Sequence, residues 1–143
     1  VVDGPSEEHP VTRDAGRRER FDALFEAHRF DVASYCGWRT ASLSDAEDAV
    51  AEVFLVAWRK IDAVPSGEAG RAWLYATARR VTANQRRSRR RRDALADRLA
   101  QQRPPAASRA LAAGTDEDAS VHTALAQLGE RDREVLLLVE WEG

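Results

Sequence analysis

The sequence predicts an all-α protein. Three observations carry that prediction: apolar residues recur at i, i+3, i+4 and i+7 through each patterned stretch, no stretch alternates with period two, and capping residues and charges mark helix ends. The chain holds no internal repeat.

In order, residues 1–16 are polar, contain Gly4, Pro5 and Pro10, and lack apolar periodicity, so they read as a flexible tail. From Arg17 the pattern changes. Phe21, Leu24, Phe25 and His28, followed by Val32, Tyr35 and Trp38, predict one broken helix or two consecutive ones ending near Thr40. Ser44-Asp45-Ala46-Glu47 fits a capping box. Behind it Val50, Val53, Phe54, Ala57, Trp58 and Ile61 form an apolar stripe. Acids open this second helix (Asp45, Glu47, Asp48) and bases close it (Arg59, Lys60), in accord with the macrodipole. Val64-Pro65-Ser66-Gly67 breaks the chain.

A third helix is expected from near Glu68 to Leu99. Leu74, Ala78, Val81 and Gln85 form one face, with a narrow apolar stripe for the core, and Trp73, Thr77, Arg80, Asn84 and Arg87 form a different one. Residues 101–118, with Pro104-Pro105, Gly114 and small residues, read as a linker. Val121, Leu125 and Leu128 then mark one short helix, and Val135, Leu136, Leu138, Val139 and Trp141 another, with a turn at Gly129 to Arg131. So small a pair leaves the run Val135 to Val139 exposed.

The 143 residues are 43% hydrophobic and 32% charged, enough for one compact domain with much ionic surface. Net charge is −2, but eight arginines crowd Arg79 to Arg92 with no acid among them. Setting those eight aside leaves 14 basic against 24 acidic residues, a net of −10. A sequence pI near 6.0 therefore conceals a local cationic site. Every basic residue except Lys60 is arginine and alanine abounds, which reads as the bias of a GC-rich genome.

Catalytic and metal chemistry find little support. A single cysteine, Cys36, excludes an internal disulfide and a cysteine-based zinc site. No phosphate-binding glycine loop or nucleophile elbow is present. Asp45, Asp48 and Glu52 share a helix face, yet no His stands at i+3 or i+4 to complete a metal set. Carboxylates there stabilise a helix start by a few tenths to about 1 kcal/mol each. They also suit docking to a partner with basic side chains. No catalytic residue, metal or cofactor is expected. No apolar run is long enough for a membrane span and no signal peptide opens the sequence, so a cytoplasmic protein is expected.

The arginine run points to nucleic acid. Guanidinium groups pair with phosphates and gain from counterion release. Asn84 and Gln85 carry amides suited to base edges, and Trp73 and Tyr75 could stack on unpaired bases. For Trp73, core packing is an equal alternative. A solvated charge run is the rival for the arginines, but their run continues a patterned helix.

Four segments, in order, resemble the extracytoplasmic-function (ECF) sigma factors of bacterial RNA polymerase. Phe21 to His28 resembles the family's opening helix, and Asp45 to Arg59 its core-polymerase-binding motif. Ala72 to Arg87 resembles the helix that recognises and melts the −10 promoter element, and Leu128 to Leu138 the start of the second conserved domain. The resemblance implies a helical sigma region 2 domain over 17–100, the linker 101–118, and an incomplete region 4 domain over 119–143.

It further implies that Asp45, Asp48 and Glu52 meet basic residues on the clamp helices of the polymerase largest subunit, with Val53 and Phe54 supplying packing. Trp73, Tyr75, Arg79, Arg80, Asn84, Arg86 and Arg87 would contact the opened −10 non-template strand, and the loop from Asp62 to Arg71 would hold a flipped base. An anti-sigma factor is a further partner of this kind of protein. Ala51 and Arg80 depart from the residues common in the family, glutamine and asparagine. The sequence reaches Gly143 without the helix-turn-helix that reads the −35 element, so a fragment is expected. A non-specific arginine-rich nucleic-acid binder and a helical protein-interaction module are the alternatives.

Overall fold

A computed structural model of the chain describes residues 10–101 and 116–142. All of its regular structure there is helical: α1 (Pro10–Arg39), α2 (Leu43–Arg59), a 3₁₀ turn (Ile61–Ala63), α3 (Glu68–Ala100), α4 (Asp116–Gln127) and α5 (Glu130–Glu142). Helices α1, α2 and α3 pack on one another, and α5 lies against α1.

Helix α1 is one continuous helix of 30 residues rather than a broken pair. It starts at Pro10, so residues 10–16, expected in a flexible tail, are helical; residues 1–9 lie outside the described residues. Proline at a first helical position has its φ already set and no amide to satisfy. At the other end the Thr40 hydroxyl donates to the Cys36 carbonyl at 2.7 Å.

Helix α2 also begins earlier than the predicted Ser44 cap. Ser42 is the cap, with extended backbone and a hydroxyl that accepts from the Asp45 amide at 3.1 Å. The motif is legible in two registers, Ser42 to Asp45 and Ser44 to Glu47, and the earlier one adds residues to the helix.

Fully buried Val32, Cys36, Val53, Ala57, Leu74 and Ala78 hold the three long helices together. An aromatic group closes one end: Phe25 meets Phe54 edge-on at 4.7 Å, and Phe21 meets Trp58 at 5.4 Å. Between α2 and α3, Gly67 turns the chain with φ +65°. At Gly70 an added Cβ would collide with the Pro65 carbonyl oxygen, so the loop lies directly on the first turn of α3. Arg20 ties that loop to α1 by donating to the Val64 carbonyl at 3.1 Å.

Helix α3 runs 33 residues, but its burial ends at Thr82. From Arg87 to Ala100 every residue is exposed. Residues 102–115, most of the expected linker, lie outside the described residues, and α4 starts at Asp116. In α5 the expected apolar run splits: Val135, Leu136 and Val139 are exposed, whereas Leu137 and Trp141 are buried.

Candidate nucleic-acid interface

Three stripes run along α3. The first, Leu74, Ala78 and Val81, is core, as the spacing predicts. The second keeps Arg80, Asn84 and Arg87 exposed, and Arg91 continues it at i+11 from Arg80. Thr77 drops out of this stripe, being 3% exposed and donating to the Trp73 carbonyl. Trp73 itself is half-buried against the core. Arg87 donates to the Asn84 side-chain oxygen, which orients both. Among the described residues Arg80, Arg90, Arg91 and Arg92 have no acidic partner.

The third stripe, Arg71, Tyr75, Arg79 and Arg86, faces α5, which partly covers Arg71, Tyr75 and Arg86 and leaves the Arg79 side chain 62% exposed. Arg86 donates to Glu130, and Arg71 donates to the Trp141 carbonyl. Tyr75 donates to Oε1 of Glu134, and the Arg79 guanidinium lies 3.3 Å from the same oxygen. From α1, Tyr35 donates to it at 3.0 Å, while Arg39 pairs with Oε2 at 3.1 Å. The rings of Tyr35 and Tyr75 lie 5.9 and 5.7 Å from that of Trp141.

The electrostatics follow these contacts. Burial first, then the Glu134 hydrogen bond, push the Tyr75 hydroxyl up to about 12. Burial and the Glu134 charge push Tyr35 higher still. Glu130 is held below the usual carboxylate range, chiefly by the Arg86 hydrogen bond.

The acidic face of α2 adjoins the open stripe. Asp48 and Glu52 are exposed and share a groove with Val56, Arg80, Asn84, Gln85 and Ser88. Asp45 is half-buried and pairs with Arg89 at 2.7 Å. Val53 and Phe54, expected to pack on a partner, are instead 0% and 6% exposed. The α2 stripe they belong to faces α1 and α3; the apolar side chains left on the acidic side are Leu55 and Val56.

Residues 24–92 match the family model for sigma-70 region 2. That span is a sigma-70 region 2 domain. The chain is 36% identical over 76 residues to the ECF RNA polymerase sigma factor SigG of Mycobacterium tuberculosis, in strains CDC 1551 / Oshkosh and ATCC 25618 / H37Rv alike. That alignment covers 53% of this chain and 20% of the relative, so the chain spans well under two thirds of the curated relatives it matches. No solved structure matches it.

The region 2 match takes in the second half of α1, all of α2 and α3 through Arg92, the whole span of the acidic face and the arginine run. Helix α5 lies outside it, and the residues sequence reasoning missed are those α5 touches: Tyr35, Arg39, Arg71, Glu134 and the docked Trp141. A signal for them exists. Glu130, Glu134, Leu137 and Trp141 fall at i, i+4, i+7 and i+11, one face of a helix.

Proposed function

We propose that the chain is a promoter-recognition subunit that binds core RNA polymerase and favours opening of the −10 element, making and breaking no bond itself. The observation that carries this is the region 2 match across a segment holding both an exposed acidic face and an exposed cationic one. In this role Asp48 and Glu52, with Asp45 at the edge, meet basic side chains of the polymerase clamp helices. Leu55 and Val56 take the packing role first given to Val53 and Phe54, whose part is to hold α2 in place.

Arg80, Asn84, Arg87 and the arginines beyond them contact phosphates and base edges of the non-template strand. Arg79, already exposed, adds to them; Tyr75 and Arg86 join once uncovered, and Trp73 offers its half-exposed ring. The loop from Asp62 to Arg71 receives a flipped base. Each contact made only to separated strands lowers the free energy of the open state relative to duplex. The chain divides as a region 2 unit over 17–100 joined through 101–118 to the start of a region 4 unit over 119–143. No helix of the described residues is long and apolar enough to cross a membrane; work on polymerase and promoter belongs in the cytoplasm.

The test is capture of core polymerase by the tagged chain at low salt. Retention by the wild type, weakened by Asp48→Lys with Glu52→Lys, is the expected outcome. Failure of the wild type to retain polymerase would overturn the proposal. The second reading, a non-specific nucleic-acid binder, is favoured by the exposed Arg90 to Arg92, which form no ion pair among the described residues. It predicts equal affinity for −10-like and scrambled single strands.

A further inference from the structure

Helix α5 presents the Glu134 carboxylate and the Trp141 indole to the basic side of the bundle, and both are received by groups suited to a nucleotide. The Glu134 side chain is 14% exposed and faces two hydroxyls, Tyr35 and Tyr75, and two guanidinium groups, Arg39 and Arg79. Trp141 is 5% exposed, with Tyr35 edge-on to it and Tyr75 tilted against it. Two turns apart on α5, the anion and the flat ring both lie against the same two tyrosines, and one nucleotide offers the same pair of groups, a phosphate and a base.

The carboxylate fills this cradle incompletely. The Arg39 side chain is 3% exposed, yet its Nε and Nη1 have no hydrogen-bond partner. Glu134 Oε2 lies within ion-pair distance of Arg39 but is not aligned as a hydrogen-bond acceptor. Buried polar groups left in this way are costly. A phosphate, with more acceptor oxygens than a carboxylate, can satisfy more of them.

Apart from these polar contacts the occupant is lightly held. Only Leu137 and Trp141 of α5 are buried, and its outer face, Val135, Leu136 and Val139, is exposed. Elements with few buried contacts open at low free-energy cost.

We propose that Tyr35, Arg39, Tyr75 and Arg79 form a nucleotide subsite for single-stranded DNA, and that α5 occupies it in cis as a displaceable clasp, Glu134 standing for the phosphate and Trp141 for the base. The proposal rests on the DNA-binding role given to α3 and adds its regulation. The open stripe of Arg80, Arg87 and Arg91 captures the strand, and full engagement requires α5 to leave. Apparent affinity is then the intrinsic affinity reduced by the fraction of open molecules.

The experiment measures binding of a fluorescein-labelled single-stranded oligonucleotide to the 143-residue chain by anisotropy at fixed salt. Glu134→Ala should tighten binding by about fivefold or more, the low end of coupling between linked sites. Glu130→Ala, at an exposed position where folding is not at risk, should tighten it by a smaller factor. Glu140→Ala removes the same charge from the same helix at an exposed position that pairs with none of these basic groups and should change little. In the Glu134→Ala background, Arg39→Gln should reverse much of the gain. Circular dichroism checks the fold of each variant. If the wild type binds and Glu134→Ala and Glu130→Ala bind no tighter, or if Glu140→Ala gains equally, the clasp is wrong and the DNA-binding role stands. If neither the wild type nor any variant binds at low salt, the DNA-binding role falls and the clasp with it.

Discussion

Arg80, Arg87 and Arg91 stand at i, i+7 and i+11 of α3, within a narrow arc of its surface and over about 16 Å of its axis. Among the described residues none has an acidic partner. A strand laid along this stripe should therefore give up about three counterions to them. For single strands each neutralised phosphate contributes about −0.7 to the slope of log K against log salt. Replacing all three by glutamine should flatten that slope by about 2. Over a fourfold rise in salt, from about 50 to about 200 mM, a slope of that size corresponds to an affinity loss of about 18-fold, which the wild type suffers and the triple variant escapes. Anisotropy titrations at several salt concentrations measure it. The control replaces Arg13, Arg18 and Arg59, all exposed and away from α3, with the same change in net charge. Equal flattening by control and stripe variants would show that net charge, not this stripe, holds the strand.

Phe54→Ala should cost about 3–5 kcal/mol in denaturant unfolding because the ring is core, whereas Glu52→Lys should leave the unfolding midpoint nearly unchanged and weaken polymerase capture. Burial raises the Cys36 thiol from its ordinary 9.0 to about 12, so the native state keeps a proton that the unfolded chain sheds above pH 9. That contribution is whole below pH 9 and is lost as pH rises toward 12; denaturation midpoints should fall over that window, and less steeply in Cys36→Ala. Asp45→Asn releases Arg89 from a 2.7 Å pair, so single-strand binding should tighten slightly with a slope steeper by about 0.7, while polymerase capture weakens. An unchanged slope would place Arg89 away from the strand.

The helical class and the course of α2 and α3 were legible because both helices bury one regular stripe, and burial follows period 3.6. Helix starts were less so. Pro10 and Ser42 begin helices earlier than expected since the residues they add are exposed and leave no apolar pattern. The residues of the cationic and acidic faces were legible as types, but which of them stay open was not. That depends on the docking of α5, whose contacts with Tyr35, Arg39 and Arg79 span 99, 95 and 55 positions of sequence, and no local periodicity reports so distant a pairing. Val53 and Phe54 were misplaced for a related reason: an apolar stripe beside acidic residues looks the same whether the core or a partner covers it.

The exposed half of α3 carries its own electrostatic strain, and this bears on how it can bind. Arg86 and Arg90, and Arg87 and Arg91, are like charges at i and i+4, each such pair costing a few tenths of a kcal/mol. Few tertiary contacts offset this, because helix burial ends at Thr82. What relief exists comes from acids: Asp45 and Asp93 at Arg89, and Glu130 at Arg86. A polyanion along the open stripe removes the repulsion that these acids leave unmet, so phosphate binding and helix stability reinforce each other. The same coupling explains why an acidic helix can dock on the neighbouring stripe at all: Glu130 and Glu134 supply locally, and in smaller measure, the negative charge that a nucleic acid would bring.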